Sequence, residues 1–236
     1  MKCVVLSAGL STRLRLITGD IPKPTVKING ISMLERCITN LRNQGFSDII
    51  ITTHYKEWYI KECLANKFQD INLTYSYETE LLDTAGSLKL LEDKLKEDFF
   101  VCGGSFFLDN QDLNNVIDSH MKSKAIATVV LWNCNETEIL PYYGQAIIEN
   151  NQIIGFEEKP KNNVSRYVHT TYQIFNPKIF KYYSGKESIP NLLKKLIANN
   201  QKINAYISQG NLVNISNPIL YERALKYFNG KSDFNR

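Results

Sequence analysis

Cys3-Val4-Val5-Leu6-Ser7-Ala8-Gly9-Leu10-Ser11-Thr12-Arg13-Leu14-Arg15 runs on to Ile21-Pro22-Lys23-Pro24 and then Val26-Lys27-Ile28-Asn29-Gly30. The apolar run over residues 2–7 predicts a short buried strand. It delivers the chain into a loop of small residues, and two cations, Arg13 and Lys23, follow. Exposed backbone N–H groups in such a loop wrap an anion, and Arg and Lys neutralise the charge that remains. The expected ligand is a polyphosphate.

Outward from that loop, short apolar runs alternate with amphipathic stretches. Strands are predicted at 48–53, 72–77 and 99–102. Helices are predicted at 31–44, where Gly45 stops the chain, at 56–68, and from Thr84 as cap to about Leu95. The β-α-β-α-β-α-β rhythm predicts an α/β fold with a doubly wound, mostly parallel mixed sheet flanked by helices. Beyond residue 110 the pattern loosens. A helix is expected at 112–123, a strand at 127–133, a hairpin around Asn150-Asn151, and helices at 188–200 and 218–228, the last capped by Ser216 or Asn217. Ligands of open parallel sheets bind beyond the carboxyl ends of the strands, so the segments after Leu6, Thr53, Tyr77 and Cys102 are expected to converge on one crevice.

With 236 residues, 43% hydrophobic and 11% aromatic, the chain is expected to fill one domain over 1–236, in two parts divided near residue 110. The 28 basic and 24 acidic residues are interleaved, and the net charge of +4 forms no basic stripe, which argues against nucleic acid as partner. No apolar run approaches the roughly 18 residues of a membrane span, and residues 1–7 are too short for a signal h-region. Five scattered cysteines without a CxxC pair fit reduced thiols of a cytoplasmic protein. His54, His120 and His169 lack metal-ligand spacing. Gly9-x-Ser11 is not the G-x-G-x-x-G of a dinucleotide fold, and no G-K-[ST] of a P-loop follows.

The opening segment, Leu6 to Thr18 followed by Pro22-Lys23-Pro24, resembles the L-A-A-G-x-G-T-R-L-x-P-L-T and P-K-P signature of the sugar-1-phosphate nucleotidyltransferases, a Rossmann-like, GT-A-type family. Further blocks agree in order: Glu78 to Leu88 with E-x-x-x-L-G-T-A-G-A-L, Phe100 to Gly104 with a strand ending in N-G-D, Ile154 to Pro160 with G-F-x-E-K-P, and Val213 to Pro218 with D-I-G-T-P. The resemblance covers essentially the whole chain. It is similar to the compact members that make GDP-heptose, GDP-mannose or dTDP-glucose, which often form dimers or tetramers. It implies transfer of a nucleoside monophosphate from an NTP to a sugar 1-phosphate, with a nucleotide-binding part over about 1–110 and a sugar-binding part over about 111–236. Arg13 and Lys23 would neutralise phosphates as the catalytic pair. Leu6, Ala8, Gly9, Thr12, Glu78, Thr84, Ala85 and Gly86 would hold the nucleotide, and Gly144, Glu158, Lys159, His169 and Thr171 the sugar phosphate.

The family holds Mg²⁺ on the aspartates of N-G-D and D-I-G-T-P, and here the matching positions read Gly104 and Asn214. Mg²⁺ favours anionic oxygen, so the cofactor that the resemblance implies is in conflict with these residues. Asp83, Ser105 and Asp109 are the alternative ligands. Glycines of the motifs are also replaced, by Ser11, Asp83 and Thr171, and the last, with His169, adds bulk where the sugar would lie. A working transferase therefore stands beside a second reading, a nucleotide- or NDP-sugar-binding relative that has lost turnover. A third, an unrelated α/β enzyme such as a dehydrogenase, would bind NAD.

Overall fold

In a computed structural model, residues 1–230 are described; residues 231–236 of the expected domain lie outside the described residues. The strands are β1 Cys3–Leu6, β2 Lys27–Ile28, β3 Ile31–Ser32, β4 Asp48–Thr53, β5 Asn72–Tyr77, β6 Phe99–Gly103, β7 Phe106–Asp109, β8 Ala127–Asn133, β9 Gly144–Glu149, β10 Gln152–Glu158, β11 Tyr167–Phe175, β12 Ile203–Ile207 and β13 Asn211–Asn214. The helices are α1 Arg15–Thr18, α2 Met33–Asn43, α3 Glu57–Leu64, α4 Asp83–Lys89, α5 Leu113–Ser123, α6 Ile189–Ala198 and α7 Pro218–Asn229. No helix among the described residues is long and apolar enough to cross a membrane.

Nine strands form the central sheet in the order β5-β4-β1-β6-β11-β8-β12-β10-β9. β5, β4, β1 and β6 are parallel to one another, and β12 is parallel to β8. β11 runs antiparallel between β6 and β8, and β10 antiparallel to β9 and β12. The parallel rhythm thus belongs to the first half of the chain, and the sheet becomes mixed beyond β6.

The strands read as nearly continuous apolar runs because both faces are covered. Alternation sends Cys3, Val5, Ile49, Ile51, Phe100 and Cys102 into one core with Leu34, Ile38 and Leu41 of α2. It sends Val4, Ile50, Phe99 and Val101 into the other, with Leu88 of α4 and Leu192, Leu193 and Leu196 of α6. A third cluster joins Val26, Ile28 and Met33 to Phe107, Val213 and Phe228. It fastens the β7–β13 ribbon and α7 beside the first loop.

Local chemistry sets the helix ends. Ser32 caps α2 by accepting from Glu35 N at 3.1 Å, and Asn217 caps α7 by accepting from Leu220 N at 2.9 Å. Helix α4 departs from expectation. It ends at Lys89 rather than near Leu95, and Thr84 lies in its first turn rather than at its cap. The Thr84 hydroxyl accepts from Ile189 N at 2.8 Å and so ties α4 to α6.

Candidate functional site

Chain order makes the crevice. After β1 the chain builds β4 and β5 on one side, then returns to place β6 on the other, so neighbouring connections diverge at the carboxyl ends of β1 and β6. The loop from Ser7 and the turn Gly103–Ser105 lie side by side there: Gly104 N donates to Leu6 O at 3.0 Å.

The first loop is folded back on itself. Ser11 has left-handed backbone (φ 60), and its hydroxyl accepts from Lys23 N at 2.5 Å. Leu14 is buried and anchors the helical turn Thr12–Leu14, which leaves Arg13 exposed. Pro22 and Pro24 restrict the backbone around Lys23, which is half-buried. Burial, then Arg13, then Lys159, pull the Lys23 ammonium down to about 8. Among the described residues neither Arg13 nor Lys23 has an acidic partner within salt-bridge distance.

The opposite wall comes from β9 and β10. Lys159 follows β10 with left-handed backbone (φ 47), and its ammonium lies 2.8 Å from Glu158 Oε1. Gly144 is needed for close approach. A Cβ there would lie 2.6 Å from Phe156 Cζ and 2.7 Å from Glu158 Oε2.

The floor is β11, which carries a register shift between His169 and Gln173. At the shift, Thr171 has φ 70, and its hydroxyl accepts from Gly103 N at 3.0 Å. His169 Nε2 is 3.0 Å from Gln173 Oε1, and its ring stands edge-on to Phe156 at 5.6 Å. Burial lowers the His169 pKa, with Gln173 and Glu158 opposing, so the ring is neutral at pH 7. A neutral ring that donates through Nε2 to Gln173 Oε1 leaves the Gln173 amide nitrogen as a buried donor without a partner, at the cleft. Ser7 Oγ is a second such group.

At the third side, Glu78 is buried and accepts from Leu82 N at 3.2 Å and Ser87 Oγ at 2.6 Å. Asp83, again left-handed at φ 66, accepts from Thr84 N at 3.1 Å. Ser11, Asp83 and Thr171 therefore keep the positive φ that glycine adopts freely, at a cost on the order of 1 kcal/mol each.

One cavity of about 540 Å³ joins these walls. Leu6, Ala8, Gly9, Thr12, Arg13, Lys23, Glu78, Thr84, Gly144, Glu158, Lys159, His169 and Thr171 all line it. Ala85 and Gly86 do not. Their N–H groups donate to Glu187 O at 2.8 and 2.9 Å, and a Cβ on Gly86 would meet Leu82 Cβ at 2.9 Å. They dock α4 on the segment before α6. The lining residues not anticipated from sequence include Gln173, Tyr143 and Lys186, while Ser105, expected only as an alternative ligand, also lines it. The period-2 alternation of a strand through His169, Thr171 and Gln173 was the available signal for Gln173.

The donor set does not fit the Mg²⁺ that the family resemblance implies. A side chain on Gly104 would point into the core: its Cβ would collide with Ser7 Oγ and lie 3.0 Å from Leu34 Cδ1 and 3.2 Å from Val5 Cγ1. Of this turn, Gly103 and Ser105 line the cleft and Gly104 does not. Asn214 pairs with Phe106 across the β7–β13 ribbon and is buried. Its Oδ1 accepts from Ser216 N at 2.9 Å and Ser216 Oγ at 2.8 Å, and its Nδ2 donates to Tyr143 Oη at 2.8 Å. Asp109 is buried, receives the Tyr227 hydroxyl and does not line the cavity. Among the described residues no three His, Cys, Asp or Glu side chains converge as a metal cluster.

Comparison with known proteins agrees with the geometry. A family model described as nucleotidyl transferase matches residues 2–215. The D-glycero-alpha-D-manno-heptose 1-phosphate guanylyltransferase of Aneurinibacillus thermoaerophilus is 30% identical over 231 residues, covering 96% of this chain and 97% of that protein. The mannose-1-phosphate guanyltransferase of Saccharomyces cerevisiae is 34% identical over 187 residues, 76% of this chain, which spans about half (51%) of the yeast protein. The structure of HddC from Yersinia pseudotuberculosis complexed with GMP-PN superposes with a TM-score of 0.82 at 25% identity, covering 96% of this chain and 99% of that one. Sequence match, sheet order and the loop-and-cation cleft together establish that the chain belongs to the nucleotidyl transferase family.

Proposed function

We propose that the protein transfers a nucleoside monophosphate from an NTP to a sugar 1-phosphate, giving an NDP-sugar and pyrophosphate. The observation that carries this reading is the pairing of two walls across one cavity: the 7–13 loop with Arg13 and Lys23 on one side, Glu158 and Lys159 on the other. A phosphate oxygen of the sugar phosphate bonds to the α-phosphorus. The bond from that phosphorus to the bridging oxygen breaks, and pyrophosphate leaves with the electron pair. The nucleophile is already an anion, so no general base is required. Positioning and charge neutralisation supply the rate.

In this reading Arg13 meets the β- and γ-phosphates and Lys23 the α-phosphate. Leu6, Ala8, Gly9, Thr12, Glu78 and Thr84 form the nucleotide end. Lys159 takes the sugar phosphate, Glu158 accepts from sugar hydroxyls, and His169 and Thr171 narrow the sugar end. The match to a heptose 1-phosphate guanylyltransferase along nearly its full length supports GTP as the first nucleotide to test and a pyranose 1-phosphate as acceptor. The test is pyrophosphate release by the purified protein from a panel of NTPs with mannose, glucose and heptose 1-phosphates, with and without Mg²⁺ or Mn²⁺. No release in any combination refutes it. In that case nucleotide binding without turnover would support the second reading, a binding relative, which Gly104 and Asn214 favour because neither supplies a carboxylate where the family resemblance places one.

A further inference from the structure

Four cations line the cleft, Arg13, Lys23, Lys159 and Lys186, and the first three form one group. They are close enough for Arg13 and Lys159 to act on Lys23 through space. The cleft also has three carboxylates, and each already gives at least one oxygen to an internal partner. Glu78 receives Leu82 N and Ser87 Oγ, Asp83 receives Thr84 N, and Glu158 lies 2.8 Å from the Lys159 ammonium. Where the family resemblance places aspartates, Gly104 has no side chain and Asn214 is a buried amide, while the neighbouring Ser105 lines the cleft with a hydroxyl. The single carbonyl oxygen of Asn214 already receives two hydrogen bonds from Ser216. Among the described residues no three acidic, His or Cys side chains converge, so a hard divalent cation finds no assembled set of anionic oxygens here. It also meets the field of three positive side chains.

We infer that this cleft grips its polyphosphate with Arg13, Lys23 and Lys159 in place of a protein-held divalent ion, so that Mg²⁺ competes with the protein for the phosphate oxygens instead of bridging to them. The inference rests on the nucleotidyltransferase reading for the identity of the ligand, and on the cation geometry alone for the sign of the metal effect. An uncomplexed triphosphate offers the three cations its full charge. One wrapped by Mg²⁺ has lost two of those charges and gains no protein ligand for the metal.

Calorimetric titration of the full chain with inorganic tripolyphosphate and with GTP, each in EDTA and in excess Mg²⁺, tests it. Both are expected to bind more weakly in Mg²⁺, by about fivefold. Lys159→Gln and Lys23→Met are expected to lose about tenfold in EDTA, with unchanged melting temperature as the control for folding. Threefold or greater tightening of tripolyphosphate by Mg²⁺ overturns the inference. So does Mn²⁺ held by the protein at micromolar concentration in an electron-paramagnetic titration without nucleotide. The double variant Ser105→Asp/Asn214→Asp is expected to acquire that Mn²⁺ signal. Its acquisition supports the inference that the wild-type residues are what keep the metal out. Tripolyphosphate binding without binding of any NTP would refute the nucleotidyltransferase reading and leave the cation cleft standing. GTP binding that requires Mg²⁺ would do the reverse.

Discussion

Two adjacent residues in the turn after β6 should respond very unequally to the same substitution. In Gly104→Asp, the new Cβ meets Ser7 Oγ, Leu34 Cδ1 and Val5 Cγ1, with the last two at 3.0 and 3.2 Å. Overpacking of this kind costs about 1–3 kcal/mol. The carboxylate would then lie among apolar side chains with the Ser7 hydroxyl as its nearest donor, which adds about 3 kcal/mol or more. The total of about 5 kcal/mol is comparable to the whole stability of many domains. For a chain of this length 1 kcal/mol moves Tm by about 2–4 °C, so a fall of about 10–20 °C is expected. In Ser105→Asp the carboxylate opens on the cleft and its cations. The expected loss is below about 1 kcal/mol, or less than about 4 °C. Thermal unfolding followed by circular dichroism reads both. A Gly104→Asp variant that melts within about 4 °C of wild type, or equal falls for the two variants, would refute the assignment of inward and outward positions in this turn.

Lys23 gives a pH dependence. Its folded-state value of about 8 lies below the ordinary 10.5, so the free protein begins to lose this proton above about pH 8 while a bound polyanion retains it. Affinity for tripolyphosphate should be flat below pH 8 and fall by up to about tenfold per unit above it, with proton uptake on binding in calorimetry across buffers; a flat profile to pH 9.5 would contradict this. The contribution of the same group to stability has the opposite slope: it rises from about pH 8 towards 10.5, because the unfolded chain holds the proton longer. Gln173→Leu removes the unpartnered amide donor at the cleft while keeping the side-chain volume. It should weaken sugar-phosphate affinity about three- to tenfold and, because His169 Nε2 loses its acceptor, lower Tm by about 2–12 °C, whereas a fall in Tm with unchanged affinity would mark Gln173 as structural. Asn217→Ala should cost about 1 kcal/mol, a fall of about 2–4 °C, through loss of the bond to Leu220 N, with nucleotide binding unchanged.

The first half of the fold was legible because its signals are local. Apolar runs at 3–6, 48–53 and 99–103 sit between amphipathic helices, and each strand is buried on both faces. The second half was harder. β11, β12 and β13 pair across long sequence separations, and nothing within 167–175 announces that the segment will lie between β6 and β8. At the site, the loop and its cations follow from residue type and spacing. Side-chain direction does not. Gly104 and Ser105 are indistinguishable in a motif read by resemblance, and only the packing of Ser7, Val5 and Leu34 shows which one points outward. Ala85 and Gly86 are set back from the cavity, their N–H groups bonded to the carbonyl of Glu187, about a hundred residues away, and no local signal announces that contact.

The position of β11 has a consequence for synthesis. The segment Tyr167–Phe175 supplies the hydrogen-bonding partner for one side of β6 and one side of β8. Until it leaves the ribosome, a nascent chain carries a completed β5-β4-β1-β6 unit whose last strand has an unsatisfied row of amides and carbonyls. Truncated chains ending before residue 167 should therefore stick to one another, and the full-length protein should acquire its solubility late, in a single closing step.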